Sequence, residues 1–140
     1  MFLPDINVWL ALAFPSHVHH VPALAWFNNS PAERLVYFCR YTQRGFLRLA
    51  NTPRVFPQDA VTQDQAWALF DRFLADPRIE YASEPSTLET SWRQLTQLPQ
   101  HLPNTWNDAY LAAFGITGNY EVVTFDKGFA RFSGLKVTIL

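Results

Sequence analysis

Short apolar runs alternating with segments of helical period limit this chain more tightly than any other feature. Residues 1–4, 34–38, 79–82, 121–125 and 136–140 read as strands, the fourth of them rich in β-branched residues. Helical spacing fills the gaps: 7–14, 21–28, 41–50, 62 to the Asp76-Pro77 stop, a segment opening at Ser86, and 104 or 105 to Gly115 or Gly118. Residues 127–132 leave room for one helical turn or two. Thr62 with Gln65, and Ser86 with Glu89, each have the spacing of a capping box. Such alternation predicts an α/β fold with a parallel sheet covered on both faces. Pro4 sits awkwardly in the first strand, because it has no N–H to give the ladder. No repeat, linker or low-complexity tract divides the 140 residues, so 1–140 reads as a single domain with a full core.

Parallel sheets collect ligands beyond the carboxyl ends of their strands. Asp5 follows Met-Phe-Leu-Pro and Asp126 follows Val-Val-Thr-Phe, each at such an end, while Asp108 lies inside Trp-Asn-Asp-Ala-Tyr-Leu-Ala-Ala. Each aspartate also has a plain structural reading. Asp5 or Asn7 would cap a helix, Asp108 would suit the dipole of a helix's first turn, and Asp126-Lys127-Gly128 would make a turn. Jointly those readings weaken, since lone carboxylates beside apolar segments are costly unless something cationic holds them. A shared divalent ion does that. Magnesium or manganese takes oxygen ligands, keeps several waters, and stabilises charge as a phosphodiester is displaced.

Composition removes several other classes. With 49% hydrophobic and 16% charged residues the chain is globular rather than disordered. No apolar run approaches a membrane span and no basic leader precedes the first strand, so a cytoplasmic protein without membrane attachment is expected. The single cysteine, Cys39, excludes an intrachain disulfide framework and reads as a small buried hydrophobe. Net charge is −1, but setting three metal-bound aspartates aside leaves 11 basic residues against 9 acidic, a balance that permits RNA binding. Arg40, Arg44 and Arg48 recur at i, i+4, i+8, either as a solvated stripe or as a phosphate or acidic-peptide contact. His17, His19 and His20 have no carboxylate at convincing ligand spacing and read as exposed or capping residues, and His101 has no assigned role. The five tryptophans read as core or interface residues. A Gly-rich phosphate loop and a nucleophile elbow are both absent.

Four ordered stretches then resemble a known family. Leu-Pro-Asp5-Ile-Asn7-Val-Trp-Leu-Ala-Leu, Thr42-Gln43-Arg44-Gly45-Phe46-Leu47-Arg48, Asn107-Asp108-Ala-Tyr-Leu-Ala-Ala and Val-Thr124-Phe-Asp126-Lys127-Gly-Phe look like a PIN-domain ribonuclease of the VapC toxin type. The resemblance spans essentially the whole chain. It implies a three-layer α/β/α sandwich with a mostly parallel sheet, Mg2+- or Mn2+-dependent hydrolysis of RNA, a cognate antitoxin protein, and frequent homodimers. Asp5, Asp108 and Asp126 match the family's acidic, metal-holding positions, and Asn7 and Thr124 its accessory polar positions. One departure stands out: Gln43 occupies a position where the family normally has glutamate. Gln43, Phe46, Leu47 and Ala50 share a helical face, so the amide is expected to point inward. It offers an oxygen but no charge and cannot serve as a general base.

Two further classes compete. A catalytically attenuated PIN domain would bind RNA or antitoxin without efficient cleavage, with Gln43 as the motive. An aspartate-based phosphotransfer domain would use Asp5 after the first strand. Such systems need a second nearby carboxylate, where this chain has Asn7, and a suitably placed lysine, for which only Lys127 and Lys136 are available.

Overall fold

The computed structural model describes residues 1–97, 99 and 102–140, so His101 lies outside the described residues. Five strands, β1 (Phe2–Pro4), β2 (Val36–Cys39), β3 (Ile79–Ala82), β4 (Glu121–Thr124) and β5 (Lys136–Ile139), form one sheet. Their order is β3-β2-β1-β4-β5, and every neighbouring pair is parallel. Pro4 is accommodated because it ends its strand. The next N–H, that of Asp5, resumes pairing with the Val123 carbonyl at 2.8 Å.

Alternation along the central strands decides the layering. Phe2, Phe38 and Val123 face a core shared with α1 (Ile6–Ala13), α2 (His20–Asn29), α3 (Arg40–Ala50) and α4 (Gln63–Leu74). Leu3, Cys39 and Val122 face the opposite core, filled by α5 (Leu88–Thr96), α6 (Thr105–Gly118) and a short 3-10 helix at Lys127–Arg131. The result is the expected α/β/α sandwich, and Cys39 is fully buried as expected. No described helix is long and apolar enough to cross a membrane.

Local expectations fared unevenly. The Thr62 capping box forms in both directions, with Gln65 Oε1 accepting the Thr62 N–H at 2.9 Å and Thr62 Oγ1 accepting the Gln65 N–H at 3.3 Å. The Ser86 box does not. Ser86 sits inside a turn closed by the Leu88 N–H on the Pro85 carbonyl at 3.0 Å, and α5 begins after Thr87. The strand expected at 34–38 is displaced to Val36–Cys39, with Arg34 turned to Glu121 at 2.6 Å instead. Asn104 precedes α6 but makes no side-chain cap, its backbone being already helical.

One glycine sets up the site. A Cβ on Gly45 of α3 would fall 2.1 Å from Cδ1 and 2.7 Å from Cγ1 of Ile6, so with any larger residue there the Ile6 side chain in the first turn of α1 would have to shift. This close packing puts α3 beside Asp5.

Candidate active site

The carboxyl edge of the sheet brings the expected residues together. Asp5 leaves β1 and caps α1, its Oδ1 accepting the Ile6 N–H at 2.7 Å. Its other oxygen accepts from Asn7 Nδ2 at 2.8 Å and from the Thr124 hydroxyl at 2.9 Å. Thr124 closes β4, is fully buried, and also accepts the Asp126 N–H at 3.0 Å. Asp126 accepts the Gly128 N–H at 2.7 Å, which holds the turn into the 3-10 helix. Asp108, in the first turn of α6, pairs with Arg131 at 3.0 Å.

Electrostatics shows the neighbouring carboxylates acting on Asp5 and Asp108. Burial raises Asp5 to about 6, against the hydrogen bonds from Thr124 and Ile6, and the charges of Asp108 and Asp126 push it further up. Asp108 is also raised, first by burial and then by Asp126, with Arg131 opposing. Both plain cap and turn readings are therefore true locally, and neither accounts for the shared field.

Gln43 is buried, as its helical face requires, along with Phe46 and Ala50. Its oxygen accepts from Arg40 Nη1 at 2.6 Å, and the same guanidinium lies 5.2 Å from the Tyr81 ring. Arg40 is thus committed to its own helix and to β3. Arg44 and Arg48 are exposed and line a cleft of about 530 Å³ with Ile6, Tyr41, Gly45, Leu47 and Asn107. The arginine stripe accordingly divides: one member braces Gln43, and two line a cleft shared with Ile6 and Asn107, the chain neighbours of Asp5 and Asp108.

Two residues escaped the sequence reading. Tyr41 shares the cleft, and burial together with the charges of Asp5 and Asp108 holds its hydroxyl well above the usual tyrosine range. The protonated hydroxyl is available as a hydrogen-bond donor in the cleft. Its spacing to Arg44 and Arg48, at i+3 and i+7, was the available clue. Arg131 was masked because its partner lies 23 positions away in sequence.

The donor set fits a hard divalent cation. Every candidate ligand is an oxygen, and the deepest, Asp5, has no cationic side chain paired with it among the described residues. Also among the described residues, no three acidic, histidine or cysteine side chains converge closely enough to grip one ion directly. Magnesium is ordinarily held by one or two carboxylates with water making up the rest, so three direct protein ligands are not required of this site.

Comparison with known proteins agrees with the geometry. Residues 2–135 match the sequence profile of the PIN domain. Ribonuclease VapC41 of Mycobacterium tuberculosis is 41% identical over 144 residues, covering 100% of this chain and 99% of its own. Ribonuclease VapC38 of the same organism is 30% identical over 135 residues, covering 91% and 86%. Among solved structures, Mycobacterium tuberculosis VapC20, described as a sarcin-ricin loop cleaving toxin, superposes with TM-score 0.70 at 18% identity, covering 97% of this chain and 99% of that one. VapBC2 from Rickettsia felis, bound to a promoter DNA fragment, gives 0.69 at 16% identity, covering 99% and 98%. The chain belongs to the PIN-domain family, among its VapC-type members.

Proposed function

We propose that this protein is a cytoplasmic endoribonuclease toxin that hydrolyses RNA phosphodiester bonds with a divalent cation, Mg2+ or Mn2+, and is restrained by a cognate antitoxin. The observation that carries this reading is Asp5: a largely buried carboxylate at the centre of the sheet edge, within the field of Asp108 and Asp126 and, among the described residues, without a counter-charge of its own. Relatives named as VapC ribonucleases support RNA as substrate, and a VapBC complex among the structural neighbours supports the antitoxin.

Each residue has a role that follows from its surroundings. Asp5, Asp108 and Asp126 would hold the cation, which when bound supplies positive charge to the phosphate and a more acidic attacking water. Asn7 and Thr124 fix the Asp5 carboxylate by donating to one of its oxygens, leaving its orientation no freedom to collapse. Gly128 does the same for Asp126. Arg44 and Arg48 would take flanking phosphates, and the Tyr41 hydroxyl, kept protonated, would donate to a phosphate oxygen. Incubating the protein with total RNA and Mg2+ tests the reading: cleavage that depends on the metal and disappears in Asp5→Asn is expected, and cleavage that survives Asp5→Asn contradicts it.

A second reading, an attenuated PIN domain that binds RNA or antitoxin without efficient cleavage, is favoured by one contact. The Gln43 oxygen is neutral and already held by Arg40, so the fourth position contributes little to a cation. Gln43→Glu separates the two. A gain of about tenfold or more in cleavage, in Gln43→Glu or in Gln43→Glu with Arg40→Gln, identifies the wild type as attenuated; vigorous metal-dependent cleavage by the wild type that neither variant raises identifies it as fully active.

A further inference from the structure

Three histidines lie before and at the start of α2, and the structure divides their work. His17 Nδ1 accepts the His19 backbone N–H at 3.1 Å. Burial and the adjacent His19 and His20 push His17 below the ordinary histidine value, as suits an acceptor imidazole. His20 Nδ1 lies 2.8 Å from the Ala11 carbonyl and ties α2 to α1. His19 has neither task. It is exposed, and its ring lies flat on Phe125 at 4.2 Å and 13°. Among the described residues its ring nitrogens have no hydrogen-bond partner, and no carboxylate forms an ion pair with it.

The position of this stack matters more than its existence. Phe125 lies between Thr124 and Asp126, and its backbone N–H reaches Asn7 Oδ1 at 3.4 Å. Asn7 in turn holds Asp5. Two hydrogen bonds therefore couple the stack to the carboxylate cluster. In the sheet order the stack stands on the β4 side of β1, whereas Arg44 and Arg48 come from the helix that follows β2 on the other side. A strand of nucleic acid crossing the edge from the arginines past Asp5 would next meet an exposed imidazole face.

We propose that His19, backed by Phe125, is a nucleobase-stacking subsite that takes an unpaired base of single-stranded RNA beside the phosphodiester held at Asp5. The inference rests on the ribonuclease reading and adds a substrate form to it. Unpaired bases are recognised by splaying onto aromatic or histidine rings, a contact that tolerates sequence because every base has a π face. The imidazole edge can also donate or accept at the base rim, which gives a base preference without a closed pocket.

The test uses a 12-nucleotide single-stranded RNA carrying 2-aminopurine, bound in EDTA, and a fluorogenic RNA reporter cleaved in Mg2+. Wild-type protein is expected to quench the 2-aminopurine emission. His19→Ala should lose the quenching, weaken binding about tenfold and raise KM with kcat held within about two-fold, at an unchanged melting temperature. His19→Trp should restore quenching and KM. If His19→Ala binds and quenches like wild type while Asp5→Asn still abolishes cleavage, the subsite is wrong and the ribonuclease reading stands. Weakened binding that only tracks a lowered melting temperature, without rescue by tryptophan, assigns the stack to holding α2 and also overturns the subsite. Wild-type protein that neither binds nor cleaves RNA overturns both.

Discussion

The two ends of one sheet treat partly buried carboxylates in opposite ways. At the amino end, Glu121 opens β4 with Arg34 at 2.6 Å, the Thr138 hydroxyl, and the chain's amino terminus nearby. Burial alone would raise its pKa, yet those partners pull it below the usual carboxylate range. At the carboxyl end, Asp5 receives a backbone N–H, an amide and a hydroxyl but no cation, and it rises to about 6. Glu121 carries its counter-charge within the chain, as Asp108 does in Arg131; the Asp5 charge is left unmet among the described residues and makes a place for a charge from outside, at a standing cost to stability.

Removing each charge in turn should expose the contrast. Asp5→Asn removes the charge and leaves one acceptor oxygen, which can cap α1 or take the Asn7 and Thr124 donors but not both. Cleavage should fall about a hundred-fold or more, the loss of several kcal/mol of charge stabilisation. The metal-free variant should nevertheless be more stable than wild type by about 1–2 kcal/mol, measured by urea unfolding in EDTA. A next, smaller effect concerns Gln43. Gln43→Glu alone places a carboxylate against Arg40, so Mn2+ affinity in calorimetry should rise only a few-fold, and the added change Arg40→Gln should raise it further, to about tenfold. Equal affinities in both variants would show that Arg40 does not restrain this position.

At the amino end the pattern should reverse. Arg34→Met removes a partly exposed ion pair and a guanidinium 3.8 Å from the Phe2 ring, so about 1–2 kcal/mol of stability should be lost with cleavage unchanged. A matching loss of cleavage would break the comparison between the two ends. The last effect is in pH. Folded Asp5 holds its proton more tightly than the unfolded chain does, so in EDTA its contribution to stability declines as pH rises from its ordinary value near 3.8 through about 6. Glu121 runs the other way, its contribution held above the ordinary value near 4.5 and lost as pH falls. Unfolding midpoints across pH 4–7.5 should show the Asp5 decline in wild type and not in Asp5→Asn.

Much of this was legible from the chain because its constraints are periodic. Short apolar runs and helical spacing located the five strands and six helices of the described residues and set Asp5 and Asp126 at strand ends, while Asp108, inside a helix, joined them only through the expectation of a shared ion. What stayed hidden depends on contacts between distant residues. The Ser86 capping box failed because Pro85 commits the chain to a turn first. The Arg40 stripe member left the site because Gln43, one turn along, needed a partner for a buried oxygen. Arg131 and the His19–Phe125 stack join segments 23 and 106 positions apart, a separation no local pattern reports.

The most direct measurement is the melting temperature of wild type and Asp5→Asn titrated with Mg2+ or Mn2+. Binding to the folded state at a hundred times Kd adds about 2.7 kcal/mol, so the wild-type transition should climb with added metal. Asp5→Asn should start higher in EDTA and climb far less. An equal rise in both proteins would mean that the cation does not bind where the unmet charge lies, and would contradict the assignment of Asp5 to the metal.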